Sequence, residues 1–151
     1  MFDFFSMTIP NWLNALLMVG FIGLIFAVNL PMVSIGWHLF AAFITLAIGF
    51  GAFALNFFGG GDAKSVAAIA AWLGWSLDTA LFLLIMAILG GLFAIILLII
   101  RYMNIGKMLP KKVSEINWVK AIVTPEMRMP YGVAIGAAGL VIYTPDKWLM
   151  L

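Results

Sequence analysis

Residues 79–100 read TALFLLIMAILGGLFAIILLII, twenty-two consecutive positions without a charged side chain. An uninterrupted apolar run of this length is the signature of a helix that crosses a bilayer. Outward from it the chain repeats the theme, with apolar blocks at Trp12–Val28, Val33–Phe58, Ser65–Leu77 and Pro130–Thr144. Composition agrees. Of 151 residues, 66% are hydrophobic and 9% charged, against about 25% charged in soluble domains. A small soluble core could not hide that much apolar surface. The expected fold is therefore an all-α polytopic membrane protein, a bundle of about five transmembrane helices forming one domain over residues 1–151. The start lacks the basic, apolar and small-residue order of a removable signal peptide.

The breaks between blocks carry turn chemistry. Asn29, Leu30 and Pro31 close the first block, Gly59 to Lys64 separate the second from the third, and Ser76 to Thr79 precede the fourth. Asp78 stands where an N-cap for the fourth helix is wanted. The third block spans only about 20 Å as a helix, short of a hydrocarbon core of about 30 Å. Either its helix starts earlier, near Asp62, or the Gly59–Lys64 loop dips below the membrane surface. Both alternatives carry an ionisable residue toward the membrane interior, where carboxylates default to a functional reading.

With five spans the charges sort by side. Lys64, Arg101, Lys107, Lys111, Lys112, Lys120 and Arg128 fall on one face, and Asp78, Asp146 and Lys147 on the other. Seven of the eight Lys and Arg thus share a side, which the positive-inside rule makes cytoplasmic. The polar stretch between Arg101 and Met129 holds Val113, Ile116, Val119 and Val123 at near-helical spacing beside several lysines. It reads as a cytoplasmic surface helix, with Trp118 at the interface. A formal charge of +2 is too small to imply nucleic acid. The absence of cysteine excludes disulfides, thiolate metal sites and a cysteine nucleophile.

Carboxylates remain as the chemical resource, and there are six: Asp3, Asp62, Asp78, Glu115, Glu126 and Asp146. Topology puts Asp78 and Asp146 outside, while Glu115 and Glu126 lie in the basic surface segment, where solvated pairing suffices. Asp3 and Asp62 share the cytoplasmic side, each at a membrane boundary. Two carboxylates facing one water can hydrolyse an amide without metal or covalent nucleophile. The ionised one takes a proton from water and the protonated one donates to the carbonyl oxygen, the pair sharing a proton at close approach. Around Asp62 the sequence is Gly59-Gly60-Gly61-Asp62-Ala63-Lys64. Three glycines permit unusual dihedrals and a close backbone approach by an extended peptide. The same hexapeptide also reads as a helix start with Asp62 as N-cap and Lys64 at lipid headgroups. On these six residues the two readings stand level.

Three segments together resemble one family. Gly59 to Lys64 resembles the GxGDxK signature of the type IV prepilin peptidases, members of the GxGD membrane aspartic proteases. Asp3, six residues before Ile9-Pro10-Asn11, is similar to that family's first catalytic motif. Met129-Pro130-Tyr131-Gly132 is similar to the Met-Pro-Tyr-Gly segment of the small Flp (tight-adherence) pilus branch. The motifs occur in the family's order, and the similarity extends over nearly the whole chain. The resemblance implies that Asp3 and Asp62 are the catalytic pair. It also implies that a prepilin is the substrate, cut after the terminal glycine of its leader at the cytoplasmic face of the bacterial inner membrane. Gly59, Gly60, Gly61, Lys64, Pro130, Tyr131 and Gly132 then shape the substrate groove, and no cofactor is needed. Larger relatives carry a cysteine-paired cytoplasmic segment and N-methylate the new terminus; nothing here implies methyl transfer. The family usually has a helix before the first aspartate, so a first helix is expected to be missing from this sequence. Ser65 replaces the apolar residue that commonly follows the signature lysine.

Other classes fit part of this pattern. A non-catalytic membrane carrier or assembly subunit could use the same aspartates for a cation, although both cluster at one face. A shortened, inactive peptidase is a further alternative. His38, the single histidine, reads as a hydrogen-bonded packing residue. Gly132, Gly136 and Gly139 read as a strip for close helix packing, and the ten methionines as gap-fillers.

Overall fold

The computed structural model describes residues 9–55, 59–103 and 131–143. Within them the chain is all helix: α1 (Asn11–Ala27), α2 (Met32–Ala54), α3 (Gly60–Leu73), α4 (Leu77–Tyr102) and α5 (Tyr131–Ile142). Each matches one of the five apolar blocks. By length and composition, α2 and α4 can cross a membrane, and α1 and α5 are shorter apolar helices. The surface helix expected within residues 101–129 lies outside the described residues, apart from the end of α4.

Local chemistry sets the helix ends. Pro10 and Pro31 occupy the N-cap positions of α1 and α2, φ −67° and −58°, so each helix begins where the proline ring has already fixed the chain. The α1 end is a Schellman motif. Asn29 takes φ 50°, a left-handed value that asparagine tolerates, and Leu30 N–H returns to Ile25 O at 3.1 Å. Between α3 and α4 the reversal uses Gly74 at φ 68°, where a Cβ would also meet the His38 ring at 3.0 Å. The cap of α4 is Ser76, not Asp78. Ser76 Oγ accepts the Thr79 N–H at 3.4 Å, and Asp78 sits in the first turn. The helix begins one position ahead of the expected cap, and a hydroxyl fills that place as well as a carboxylate does.

The short helix α3 is the centre of the bundle and touches each of the other four described helices. Its buried face is small: Ala63, Ser65, Val66, Ala67, Ala68, Ala70 and Ala71, with Asp62 at its start. Small side chains let neighbouring backbones come close, which in lipid is the main source of helix–helix attraction. At the α2–α3 crossing a Cβ on Gly49 would stand 2.9 Å from the Ala63 Cβ. On α1, Gly20 receives the Trp72 ring, whose Nε1–H donates to Leu17 O at 2.9 Å. The far side of α3 joins Phe82 of α4 with Ile135, Ala138 and Ile142 of α5 in an apolar cluster around Val66. Large apolar side chains point outward instead, Leu140 being 81% exposed and Phe26 76%. An interior of alanine and glycine inside a shell of Leu, Ile and Phe is the arrangement lipid favours.

His38 is the packing residue its sequence context suggests. Its Nδ1–H donates to Ala71 O at 2.7 Å, satisfying a carbonyl in the last turn of α3, and its ring lies 5.4 Å from that of Phe21. The glycine strip of α5 behaves otherwise. A Cβ on Gly136 or Gly139 meets no neighbour among the described residues. The packed face of α5 is Ala134, Ile135, Ala138 and Ile142, because alanine is already small enough for the approach to α3 and α4.

The crossing makes a prediction. Gly49→Ala must push α2 from α3 and is expected to destabilise the protein by about 1–3 kcal/mol. Gly36→Ala and Gly51→Ala, whose new Cβ would meet open space, are expected to be neutral or slightly stabilising. Thermal unfolding of the detergent-solubilised full chain compares the three.

Candidate active site

The third helix begins at Gly60, so the first of the two sequence alternatives holds: the helix starts ahead of Asp62. Asp62 is the third residue of α3 and is 8% exposed. Its Oδ2 accepts the N–H of Gly59, the N-cap residue, at 3.2 Å. Asp62 is thus the reaching-back residue of a capping box rather than the N-cap itself. A negative charge there also lies in the favourable field of the helix N-terminus. Burial and capping together hold the carboxylate at one end of the bundle's central helix.

The three glycines do different work from that expected of their dihedral freedom. Among the described residues only Gly74 has positive φ among glycines, and Gly59 is plainly extended at φ −75°, ψ 144°. Close approach is what they provide. A Cβ on Gly59 would come within 2.6 Å of Asp62 Oδ2, and one on Gly61 within 3.1 Å of Ile9 O. The backbone that comes close is therefore that of Ile9, in the chain's own first motif. At Gly60 an added Cβ would find only ordinary contact with the Phe53 ring, at 3.6 Å.

Other bonds join the same two motifs. Lys64 Nζ donates to Asn11 Oδ1 at 3.0 Å, so this lysine ties the start of α1 to the N-terminal part of α3. Asn14 and Ser65, both buried, add a second tie, with Ser65 Oγ 2.8 Å from Asn14 Oδ1. Sequence reasoning missed this pair, although an asparagine within an apolar block, one turn after Asn11, was a signal. The third motif arrives from α5. The Tyr131 ring packs beside Gly90, where a Cβ would stand 3.3 Å from Cε1, and joins Ile9 at the edge of the Val66 cluster. Gly132 follows, half-buried in the first turn of α5. Asp3 and Pro130 lie outside the described residues. Among those described, no three His, Cys, Asp or Glu side chains gather as a metal site would need.

Segments far apart in sequence, Ile9–Asn11 and Gly59–Ser65, thus meet around one buried carboxylate, and Tyr131 packs with Ile9 against the adjoining Val66 cluster. Residues 1–95 match the sequence pattern of the type IV leader peptidase family. The chain belongs to that family. The match includes the first two of the three segments and ends before Tyr131. No curated protein and no solved structure gave a match. Membership agrees with the all-helical apolar bundle, and this leader peptidase family member is a membrane protein on both grounds.

The glycine geometry predicts an order of tolerance across Gly59, Gly60 and Gly61. Gly60→Ala is expected to leave thermal stability unchanged or slightly raised. Gly61→Ala must displace the Ile9 backbone and is expected to cost about 1–3 kcal/mol. Gly59→Ala, which drives the Asp62 carboxylate off its capping bond, is expected to cost about 1 kcal/mol. Unfolding midpoints of the three variants against wild type check the order.

Proposed function

We propose that this chain is an aspartic endopeptidase that removes the leader from type IV prepilins of the Flp type, at the cytoplasmic face of the bacterial inner membrane. One observation carries the reading: Asp62 is buried at the start of the central helix, with the Ile9 backbone packed on the adjoining Gly61. A carboxylate kept out of water at the end of a membrane bundle carries a desolvation cost that hydrogen bonds only offset, and such carboxylates default to a functional reading. The family match supports leader peptidase chemistry, and the excess of Lys and Arg on the Asp62 side supports a cytoplasmic site.

In this mechanism Asp3 is the second acid. It stands six residues before Ile9, a stretch that spans at most about 20 Å, so its carboxyl can return to the first turn of α3. The ionised member of the pair removes a proton from water, and the oxygen attacks the scissile carbonyl carbon. The protonated member donates to the carbonyl oxygen, giving a tetrahedral gem-diol. Collapse returns the diol proton to a carboxylate and delivers a proton to the departing amine nitrogen, leaving the dyad as it began. Gly59 to Gly61 and Pro130 to Gly132 border the groove in which the extended leader junction lies. Lys64 acts at one remove, through its bond to Asn11.

The test is leader cleavage of a co-expressed Flp-type prepilin, read by mass spectrometry at matched expression. Wild type is expected to cut. Asp62→Asn and Asp3→Asn keep size and shape but lose acid–base capacity, and each is expected to lower the rate by roughly 100- to 10,000-fold. Wild-type rates in either variant would overturn the two-aspartate mechanism. A wild-type chain that leaves the leader intact, in a membrane where the prepilin is present, would favour the carrier or assembly reading of the same aspartates.

A further inference from the structure

Asn14 and Ser65 are the two most enclosed polar side chains near Asp62, 7% and 4% exposed. Asn14 Nδ2 donates to Gly61 O at 3.3 Å. Ser65 Oγ lies 2.8 Å from Asn14 Oδ1 and 3.0 Å from Gly61 O. A hydroxyl has one proton to give, and the shorter contact goes to the asparagine. The chain of bonds then runs from Ser65 to Asn14 and from Asn14 to Gly61. Its last acceptor is the carbonyl of the peptide unit whose nitrogen belongs to Asp62. That unit is planar, so fixing its oxygen fixes the plane from which the Asp62 Cα departs.

Helix attachment alone does not require these bonds at this place. The α1–α3 contact is already made one end further along by the Trp72 indole on Leu17 O and by Gly20 under the Trp72 ring. At the exposed edge it is made by Lys64 on Asn11. What Asn14 adds is a grip on the Gly61–Asp62 peptide, on whose glycine the Ile9 backbone also rests. We propose that Asn14 and Ser65 are positioning residues, a buried latch that holds the Gly61–Asp62 peptide and so sets where the Asp62 carboxylate stands. The proposal rests on the reading of Asp62 as a catalytic acid.

The test uses the full chain in lipid nanodiscs, comparing wild type with the double variant Asn14→Leu, Ser65→Ala. Removing both partners together leaves no orphaned polar side chain, which keeps folding close to neutral; the unfolding midpoint verifies this. Two readouts follow: steady-state leader cleavage, and the 13Cγ titration of Asp62, assigned by its loss in Asp62→Asn. With the latch gone, kcat is expected to fall roughly 10- to 100-fold, the cost of a small misplacement. KM should stay within about two-fold, and the Asp62 titration midpoint should move. A double variant with wild-type kcat and an unmoved midpoint would reduce the pair to helix-packing bonds and overturn the proposal. If wild type itself does not cleave, the peptidase reading fails, and the Asp62 titration alone decides the latch: a moved midpoint supports it, an unmoved one overturns it.

Discussion

Close approach between α3 and its neighbours is the constraint on which the rest of this structure depends. In water a helix can be held by burying Leu and Phe; in lipid those side chains gain little by leaving the tails. Attraction must come from dispersion across short distances, and dispersion falls steeply with separation. Alanine at five buried positions of α3 and glycine opposite Ala63 supply the short distances. A helix of 14 residues thereby becomes the one that all the others touch. Asp62 is buried for the same reason: it occupies the first turn of the element most enclosed by protein.

Small residues leave few side-chain atoms to satisfy polar groups, so the buried polar groups, apart from Thr45 bonded back to its own helix, gather at the two ends of α3. At its C-terminal end His38 caps Ala71 O, the Trp72 indole reaches Leu17 O, and Thr79 Oγ1 donates to Gly74 O. At its N-terminal end stand Asn14, Ser65, Lys64 and Asn11 around the Gly59–Asp62 turn. Between them runs alanine. At one end every side-chain donor is directed at a backbone carbonyl. The other is built around an acid and includes side chain to side chain bonds, which suits a site whose geometry has to be held.

The helices were legible because a membrane chain writes them as apolar blocks, and the boundaries moved by only a few residues once caps were seen. The third helix shows both the reach and the limit of that reading. Its thirteen-residue block was too short to span, which left either a start near Asp62 or a dipping loop, and the helix start at Gly60 decided between them. The burial of Asp62 followed from it. Pairwise geometry was not legible. Nothing in Gly59-Gly60-Gly61 tells which glycine faces a carboxylate and which a backbone, since that depends on where Ile9 lies. Ser65 looked like a minor departure because its partner, Asn14, is 51 positions away. Ser76 displaced Asp78 as cap through a shift of one residue in the helix start, finer than apolar patterning can resolve. On α5 the strip of glycines suggested a packing face, whereas the alanines took that role.

The contact between Ile9 and Gly61 has a consequence for the proposed dyad. A second carboxylate on a freely diffusing segment would have to be brought to Asp62 at the full entropic cost of closing a long loop. Here the chain is already fixed at Ile9, against the residue preceding Asp62, and again at Asn11 through Lys64. Asp3 is six residues from that fixed point. A stretch of that length reaches at most about 20 Å, which keeps Asp3 within reach of Asp62. Short tethers give effective concentrations in the millimolar range without any contact of their own. In this reading the first motif's Ile-Pro-Asn acts as an anchor: isoleucine seats the backbone on glycine, proline starts the helix, and asparagine takes the lysine. The spacing between the first aspartate and that anchor is then a mechanical parameter of the proposed peptidase, as much as the identity of the acid.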